Sequence, residues 1–476
     1  MGQGSVKKNL SYQTIYQILN TCLPLITSPY LARVLGAEKQ GVFSFTQSIV
    51  NYFTLVAMLG VTNYGIRRIA ECQEDKDARS QNFWNIYALQ FCVSLTTLVI
   101  YIVYIVAFCK ENVPIACIQG IYILGAVIDI NWLFFGIEKF KTTVTRSIFI
   151  RIASVVLILL LVKSPKDLWI YTLIMSGSTF ASNFVLWFFA CRVINFDEIS
   201  VIRWMKVREH IKPNLVLFVP LLAMSVYHIM DKTMLGLLSS YAQVGFYYNA
   251  DKIINIPIGI INGVGLVMFP RTTALIEAEN EEEANKLFFL SLEVVFVVSV
   301  AMACGIASIS KEFTPFFFGE GFEECINLTI VLSPVLILKA ISQTCRMQYL
   351  IPKHMENIFI QSVFLGAGVN LVVNLALISN LGAMGAVIGT LAAELVTCIW
   401  QYMNMNKSII SFKSLLKSII YVVIGIIMFA AVRATASVLT GGLLSLVVEI
   451  LVGAFVFGAL CMLYWKITRN SILYFF

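Results

Sequence analysis

Asp231-Lys232 in YHIMDKTMLG and Asp251-Lys252 in NADKIINIP put the same acid–base dipeptide into two successive apolar runs. A charged side chain at mid-bilayer costs about 2.5–3.5 kcal/mol on insertion scales, so such a group is expected to face a cavity or a partner. If the first run ends near 239 and the second begins near 244, the two aspartates lie about 10–12 Å from one membrane face at 1.5 Å per residue. That places the dipeptides at one depth on adjacent antiparallel helices. Two readings stand open. Asp231 pairs with Lys252 and Lys232 with Asp251, leaving a nearly neutral layer, or at least one member faces a cavity and binds a coupling cation or a phosphate. His228 is three residues before Asp231, a spacing that shares a helix face, and is either a satisfied partner or a proton relay.

Asp129 and Lys339 each fall fifteen residues into an apolar run, and either meet across a cavity or keep separate local partners. Glu394 has no basic neighbour in sequence and is a candidate cation site. Arg33, three residues from the end of its run, either snorkels to the interface or offers its planar fork to a phosphate. Arg151 and Arg433 lie close to run ends and read as snorkelling. Arg67, Arg68, Arg146 and Arg271, with Lys212, are placed at one membrane face to meet a diphosphate or to rest on anionic lipid. EAENEEEAN (277–285) reads as a solvated acidic face, and Pro24, Pro29, Pro220 and Pro257 either kink their helices or, the plainer reading, simply pack within them.

The elements that must hold these groups follow from composition. The chain has 476 residues, 59% hydrophobic and 13% charged, with a mean hydropathy of +0.83. A soluble domain is roughly 45–50% apolar and about 25% charged, so an all-α polytopic membrane protein is expected. Apolar stretches repeatedly reach the roughly 20 residues that cross a bilayer as a helix, without the alternation of an outer-membrane barrel. About fourteen spans are expected, near 10–36, 41–64, 83–109, 114–136, 147–163, 168–191, 213–239, 244–270, 286–308, 324–350, 357–379, 384–405, 417–439 and 441–465. Two N-terminal lysines without a short apolar core and cleavage site argue against a removable signal peptide. Eleven scattered cysteines and three histidines suggest neither a metal centre nor a disulfide framework.

With the N-terminus inside, 23 of the 34 lysines and arginines fall in inside segments and 5 in outside ones. That bias predicts an even number of spans with both termini cytoplasmic. The net charge of +7 then reflects topology and implies no nucleic-acid partner.

The chain also repeats itself. Arg33-Val-Leu-Gly36 matches Thr233-Met-Leu-Gly236 at an offset of 200, and Gly41-Val-Phe matches Gly245-Phe-Tyr at 204. The second offset carries Asn51 onto Asn255 and Arg67 onto Arg271. Two pseudo-symmetric six-helix lobes around a central cavity are expected, 1–195 and 213–405, joined by a cytoplasmic linker at 196–212 and followed by two extra helices in 406–476. The repeat sets Gln47 against Asp251 and Leu31 against Asp231, so the acid–base layer belongs to the second half. Facing lobes suit alternating access.

SPYLARVLGAEKQGVFSFTQSIVNYF (28–53), DINWLFFGIEKFK (129–141), DKTMLGLLSSYAQVGFYYNADKI (231–253), MFPR (268–271) and PFFFGEGF (315–322) resemble the polysaccharide-transporter proteins. These are the O-antigen and capsule repeat-unit flippases of the multidrug/oligosaccharidyl-lipid/polysaccharide flippase superfamily. The resemblance runs from about residue 10 to about 405. It implies a two-lobed transporter that carries undecaprenyl-diphosphate-linked oligosaccharide from the cytoplasmic to the outer leaflet of the bacterial cytoplasmic membrane. Asp129, Trp132, Phe135 and Gly136 follow the family's pattern.

On this reading Arg33, Lys232, Lys252 and Lys339 are candidate cavity cations for the substrate. Asp129, Asp231, Asp251 and Glu394 are candidate coupling or gating acids, with H⁺ or Na⁺ as the ion and no other cofactor. The partners expected are the lipid-linked oligosaccharide, membrane lipids and polysaccharide polymerase or assembly proteins, with the chain a monomer. No Gly-Lys dipeptide occurs, so a phosphate-binding loop for direct ATP drive is not expected. A multidrug/cation antiporter of the same superfamily is the first rival, although its cavity should favour acids. A membrane enzyme acting on lipid-linked sugars is the second, although no large outside loop is foreseen.

Overall fold

The computed structural model describes residues 3–198, 202, 204–405, 412–439 and 441–468, with backbone alone for 3–22, 220, 226–228, 260, 262, 264, 266–267 and 412–418. The described residues are helical throughout, with turns between and no strand. In the membrane a helix satisfies each backbone group within its own segment, which open sheet cannot do. The chain divides into two compact units, Met1–Gly236 and Leu237–Phe476.

The first unit begins with α1 (Gln3–Met58), which joins the first two expected spans across a kink. The joint is Gly36, at φ 73° and ψ 172°, a conformation that costs little only without a Cβ. Pro24 and Pro29 lie within the helix, in keeping with plain helix packing at those positions. Gly236 matches Gly36 in the repeat but serves another purpose. A Cβ there would sit 2.0 Å from the Phe45 ring, so this glycine permits close approach rather than a bend.

The unit continues with α2 (Val61–Glu71), α3 (Lys76–Phe108), α4 (Val113–Val127), α5 (Asn131–Gly136), α6 (Phe140–Leu161), α7 (Leu168–Ala190), α8 (Trp204–Glu209) and α9 (Ile211–Leu238). Asp75 starts α3 by accepting the Asp77 and Ala78 amides at 2.9 and 3.0 Å. α1 packs on α3, α4 and α6, α4 on α7, and the short α5 on α2. An aromatic core of Phe83, Trp84, Trp132 and Phe134, packed with Leu186, fills one end, and Val50, Tyr101 and Ile123 fill another layer.

The second unit holds α10 (Tyr241–Glu277), α11 (Glu281–Phe318), α12 (Glu324–Cys345), α13 (Glu356–Leu381), α14 (Ala383–Met403), α15 (Phe412–Val438) and α16 (Leu443–Thr468). α13 lies along α14, α12 contacts α10, α11 and α14, and α15 and α16 pack on each other and on α11. The acidic run proves to be a helix start: Asn280 accepts the Glu283 amide and Glu281, Glu282 and Glu283 form the first turn of α11. Negative charge is favoured there by the helix dipole.

Among the described residues eleven helices are long and apolar enough to span a membrane, and up to twelve if the bent pair Trp204–Ser225 and Ile229–Leu238 is one span. The first of the eleven, Leu23–Glu71, carries two expected spans, and α10 stands where the eighth was expected. Each of the fourteen expected positions therefore holds a helix.

Candidate functional site: polar layers inside each unit

The helix break between α4 and α5 is the first layer. Ending a helix leaves carbonyls without intrahelical donors, and at membrane depth each needs a partner. Gln90 of α3 donates to the carbonyls of Ala126 and Asp129 at 2.7 and 2.8 Å. Asn183 of α7 donates to Gly125 O at 2.9 Å, and the Trp187 indole to Ile128 O at 2.9 Å. Gln90 Oε1 in turn accepts the Trp132 indole at 3.0 Å. Two neighbouring helices thus pay the hydrogen-bond debt of a third.

Asp129 sits in this break. Its Oδ1 accepts the backbone amide and side-chain Nδ2 of Asn131 at 2.8 and 2.7 Å. The same Nδ2 reaches Asn183 Oδ1 at 3.0 Å, and Arg146 donates to Asn131 Oδ1 at 3.1 Å. Arg146, assigned to a surface mouth from sequence, is therefore linked to Asp129 through one amide. α5 is held against α2 by two glycines. A Cβ on Gly65 would lie 2.5 Å from the Trp132 ring, and one on Gly136 2.7 Å from Ile69 Cβ.

The second layer crosses α12 and α14. Lys339 Nζ and Glu394 Oε1 are 3.8 Å apart, with side chains 18% and 6% exposed. The pair was absent from the sequence reading, because 55 positions separate the two residues. Asp129 and Lys339 therefore each have a local partner. Neighbouring helices add polar contacts: Tyr247 Oη of α10 and Thr390 Oγ1 of α14 lie 3.0 Å apart, and within α13 Asn374 donates to Asn370 at 3.0 Å. Gln401 links to Ser342 and Ser362 at 3.1 and 3.0 Å. The C-terminal end of α12 passes into a π-helical turn, Arg346–Leu350, where Gln348 is buried with neither amide atom hydrogen-bonded. π-turns of this kind are frequent at functional sites.

The remaining sequence candidates are divided between the two units. Asp231 is buried in the first unit and Lys232 half-buried. In the second, Asp251 accepts from Asn255 Nδ2 at 2.8 Å and Lys252 Nζ lies 3.9 Å from the Tyr248 ring centroid. His228 lies outside the described side chains, as does Pro220. Arg33, Arg67 and Arg271 are exposed. Arg68 pairs with Glu71 at 2.6 Å and donates to Asn82 at 3.0 Å. Arg433, read as snorkelling, is instead paired with Glu312 at 2.7 Å and donates to Ser308 O at 3.1 Å. That correction has a simple cause: α15 packs on α11, which places an acid within reach before the interface is reached.

Sequence reasoning weighed charges and passed over amides. Gln90, Asn131 and Asn183 carry the first layer and Asn370, Asn374 and Gln401 the second, and the available signal was an amide inside an apolar run. The groups found can hold a cation on carboxyl and amide oxygens or a phosphate on lysine and arginine. Among the described residues no cluster of three His, Cys, Asp or Glu could bind a metal.

Over 413 residues the chain is 24% identical to a protein of Escherichia coli (strain K12) provisionally named an O-antigen transporter, covering 85% of this chain and 98% of that one. It is 24% identical over 218 residues to the lipid II flippase MurJ of Bacillus subtilis (strain 168), covering 45% and 38%. Among solved structures, its fold is similar to that of lipid II flippase MurJ in an inward closed conformation, with TM-score 0.78, 12% identity and coverage of 97% of this chain and 100% of that one. An inward-facing multidrug resistance MATE transporter of the MOP superfamily follows at TM-score 0.58 and 17% identity, with 82% and 97% covered. The family described as polysaccharide biosynthesis protein matches residues 6–276, more than half of the sequence, and the chain belongs to that family.

Proposed function

We propose that this chain is a flippase for undecaprenyl-diphosphate-linked oligosaccharide repeat units, moving them from the cytoplasmic to the outer leaflet of the bacterial cytoplasmic membrane. The observation that carries the reading is coverage: the family match and the O-antigen transporter likeness together take in most of the chain, and the MurJ fold is matched nearly end to end. The substrate has two incompatible ends. Its tail prefers lipid, and its diphosphate and sugars are very costly to move through hydrocarbon.

A hydrated cationic cavity carries the head group while the tail stays in lipid, and alternating access exposes that cavity to each face in turn. Arg33, Lys232, Lys252 and Lys339 are the proposed contacts to the diphosphate. Asp129, Asp231, Asp251 and Glu394 are the proposed sites at which H⁺ or Na⁺ couples the motion to a gradient. Both termini are cytoplasmic in this reading, the protein works without catalysing a bond change, and it acts beside a polysaccharide polymerase.

Lipid-linked repeat units accessible from the inner leaflet measure the reaction. Deletion of the gene should make them accumulate, and the intact gene should clear them; unchanged pools together with restored efflux of a cationic dye would replace the flippase with the antiporter reading. Replacing Asp231 and Asp251 by Asn, singly and together, tests coupling. Export unaffected in the double variant removes both aspartates from the mechanism.

A further inference from the structure

We propose that the junction of α8 and α9 is a docking surface for anionic phospholipid. Val207 and His210 face inward there, and Trp204, Met205, Lys206 and Arg208 face outward. The inward side is fixed to the first unit: His210 Nδ1 and Tyr64 Oη lie 2.6 Å apart, Asn214 Nδ2 donates to His210 O at 2.9 Å, and a Cβ on Gly60 would lie 3.0 Å from Asn214 O. The junction is thus held in place rather than trailing, so its outward side is a defined surface.

That surface has two chemistries side by side. Trp204 is 63% exposed and Met205 81% exposed, values that are costly in water for large apolar groups. Lys206, Arg208 and Lys212 are exposed beside them, opposed by Glu209 alone within 204–212. An amphipathic aromatic side chain next to cations is the composition of the headgroup layer, where tryptophan settles and basic groups meet lipid phosphates.

Continuity decides the occupant. The exposed apolar face runs on into α9 through Leu215, Val216 and Val219, a helix that the composition places in the bilayer. A protein partner would have to end where lipid begins, whereas a lipid surface covers the whole face without a seam. In the orientation set by the lysine and arginine bias this is the cytoplasmic leaflet.

The test uses the full chain in nanodiscs of phosphatidylcholine containing a minority of acyl-brominated lipid, either phosphatidylglycerol or phosphatidylcholine. Bromine quenches nearby tryptophan, and the difference between wild type and Trp204→Phe isolates Trp204. Quenching of Trp204 should be stronger with brominated phosphatidylglycerol. Lys206→Gln with Arg208→Gln should reduce that preference by roughly fivefold per cation removed. Equal quenching by the two lipids would overturn the anionic preference. A Trp204 signal insensitive to both would place the face in water or against protein and overturn the proposal entirely.

Discussion

The C-terminal ends of α4 and α12 solve one problem in two ways. In the first unit the helix breaks after Val127, and Gln90, Asn183 and Trp187 supply donors to the carbonyls set free. In the second the helix does not break but widens into a π-turn, leaving Gln348 buried without a hydrogen bond. Charge is treated differently too. Asp129 is surrounded by amides, with Arg146 one amide away, while Glu394 meets Lys339 directly. In this amide cage one group serves two partners, as Gln90 Nε2 does for two carbonyls and Asn131 Nδ2 for two side-chain oxygens, so a single loss is felt twice. In the second unit the charge of Glu394 meets a lysine 3.8 Å away that is 18% exposed, so water can reach one member of the pair.

The contrast assigns the largest effect to Gln90→Leu. It strips the Gln90 donor from the Asp129 carbonyl and from Ala126 O, which keeps the Asp129 amide at 3.3 Å, and removes the acceptor of the Trp132 indole; an unsatisfied buried group costs about 1–3 kcal/mol. Thermal unfolding in detergent should register a loss of several kcal/mol, and a melting temperature like wild type would show that water enters the break freely. Next is Gly65→Ala, whose methyl must displace the Trp132 ring. Overpacking of this sort costs about 1–3 kcal/mol, and the same assay should find Gly177→Ala, with open space around it, near neutral.

The ion pair should be more forgiving. Removing one member alone, as in Lys339→Met, leaves Glu394 buried without that cation, and a fully buried pair loses about 3–5 kcal/mol in this way. Partial exposure of Lys339 reduces the expectation to about 1–2 kcal/mol, and adding Glu394→Gln should restore most of it. A double variant less stable than the single one would make the layer as sensitive to loss as the cage and remove the contrast. The smallest effect is expected for Arg68→Gln, because the Arg68 and Glu71 side chains are 42% and 59% exposed and such pairs contribute about 0–1 kcal/mol.

The sequence by itself determined the class and the positions of the spans, because hydrocarbon thickness imposes a length of apolar residues that needs no tertiary information. It located Gly36 as a boundary, since the end of the first apolar run coincides with the one residue whose backbone can turn there. It also picked out Glu394 from the cost of charge in lipid, and Asp129 from that cost together with a family-like pattern around it.

Partners were another matter. Glu394 finds Lys339 and Arg433 finds Glu312 only because α12 packs on α14 and α15 on α11. Gln90 and Asn183 acquire meaning only where α4 breaks between α3 and α7. Apolar content fixes that a helix lies in the membrane, but all its lipid-compatible faces are alike until neighbours are chosen. Packing makes that choice, and with it decides which polar atoms meet.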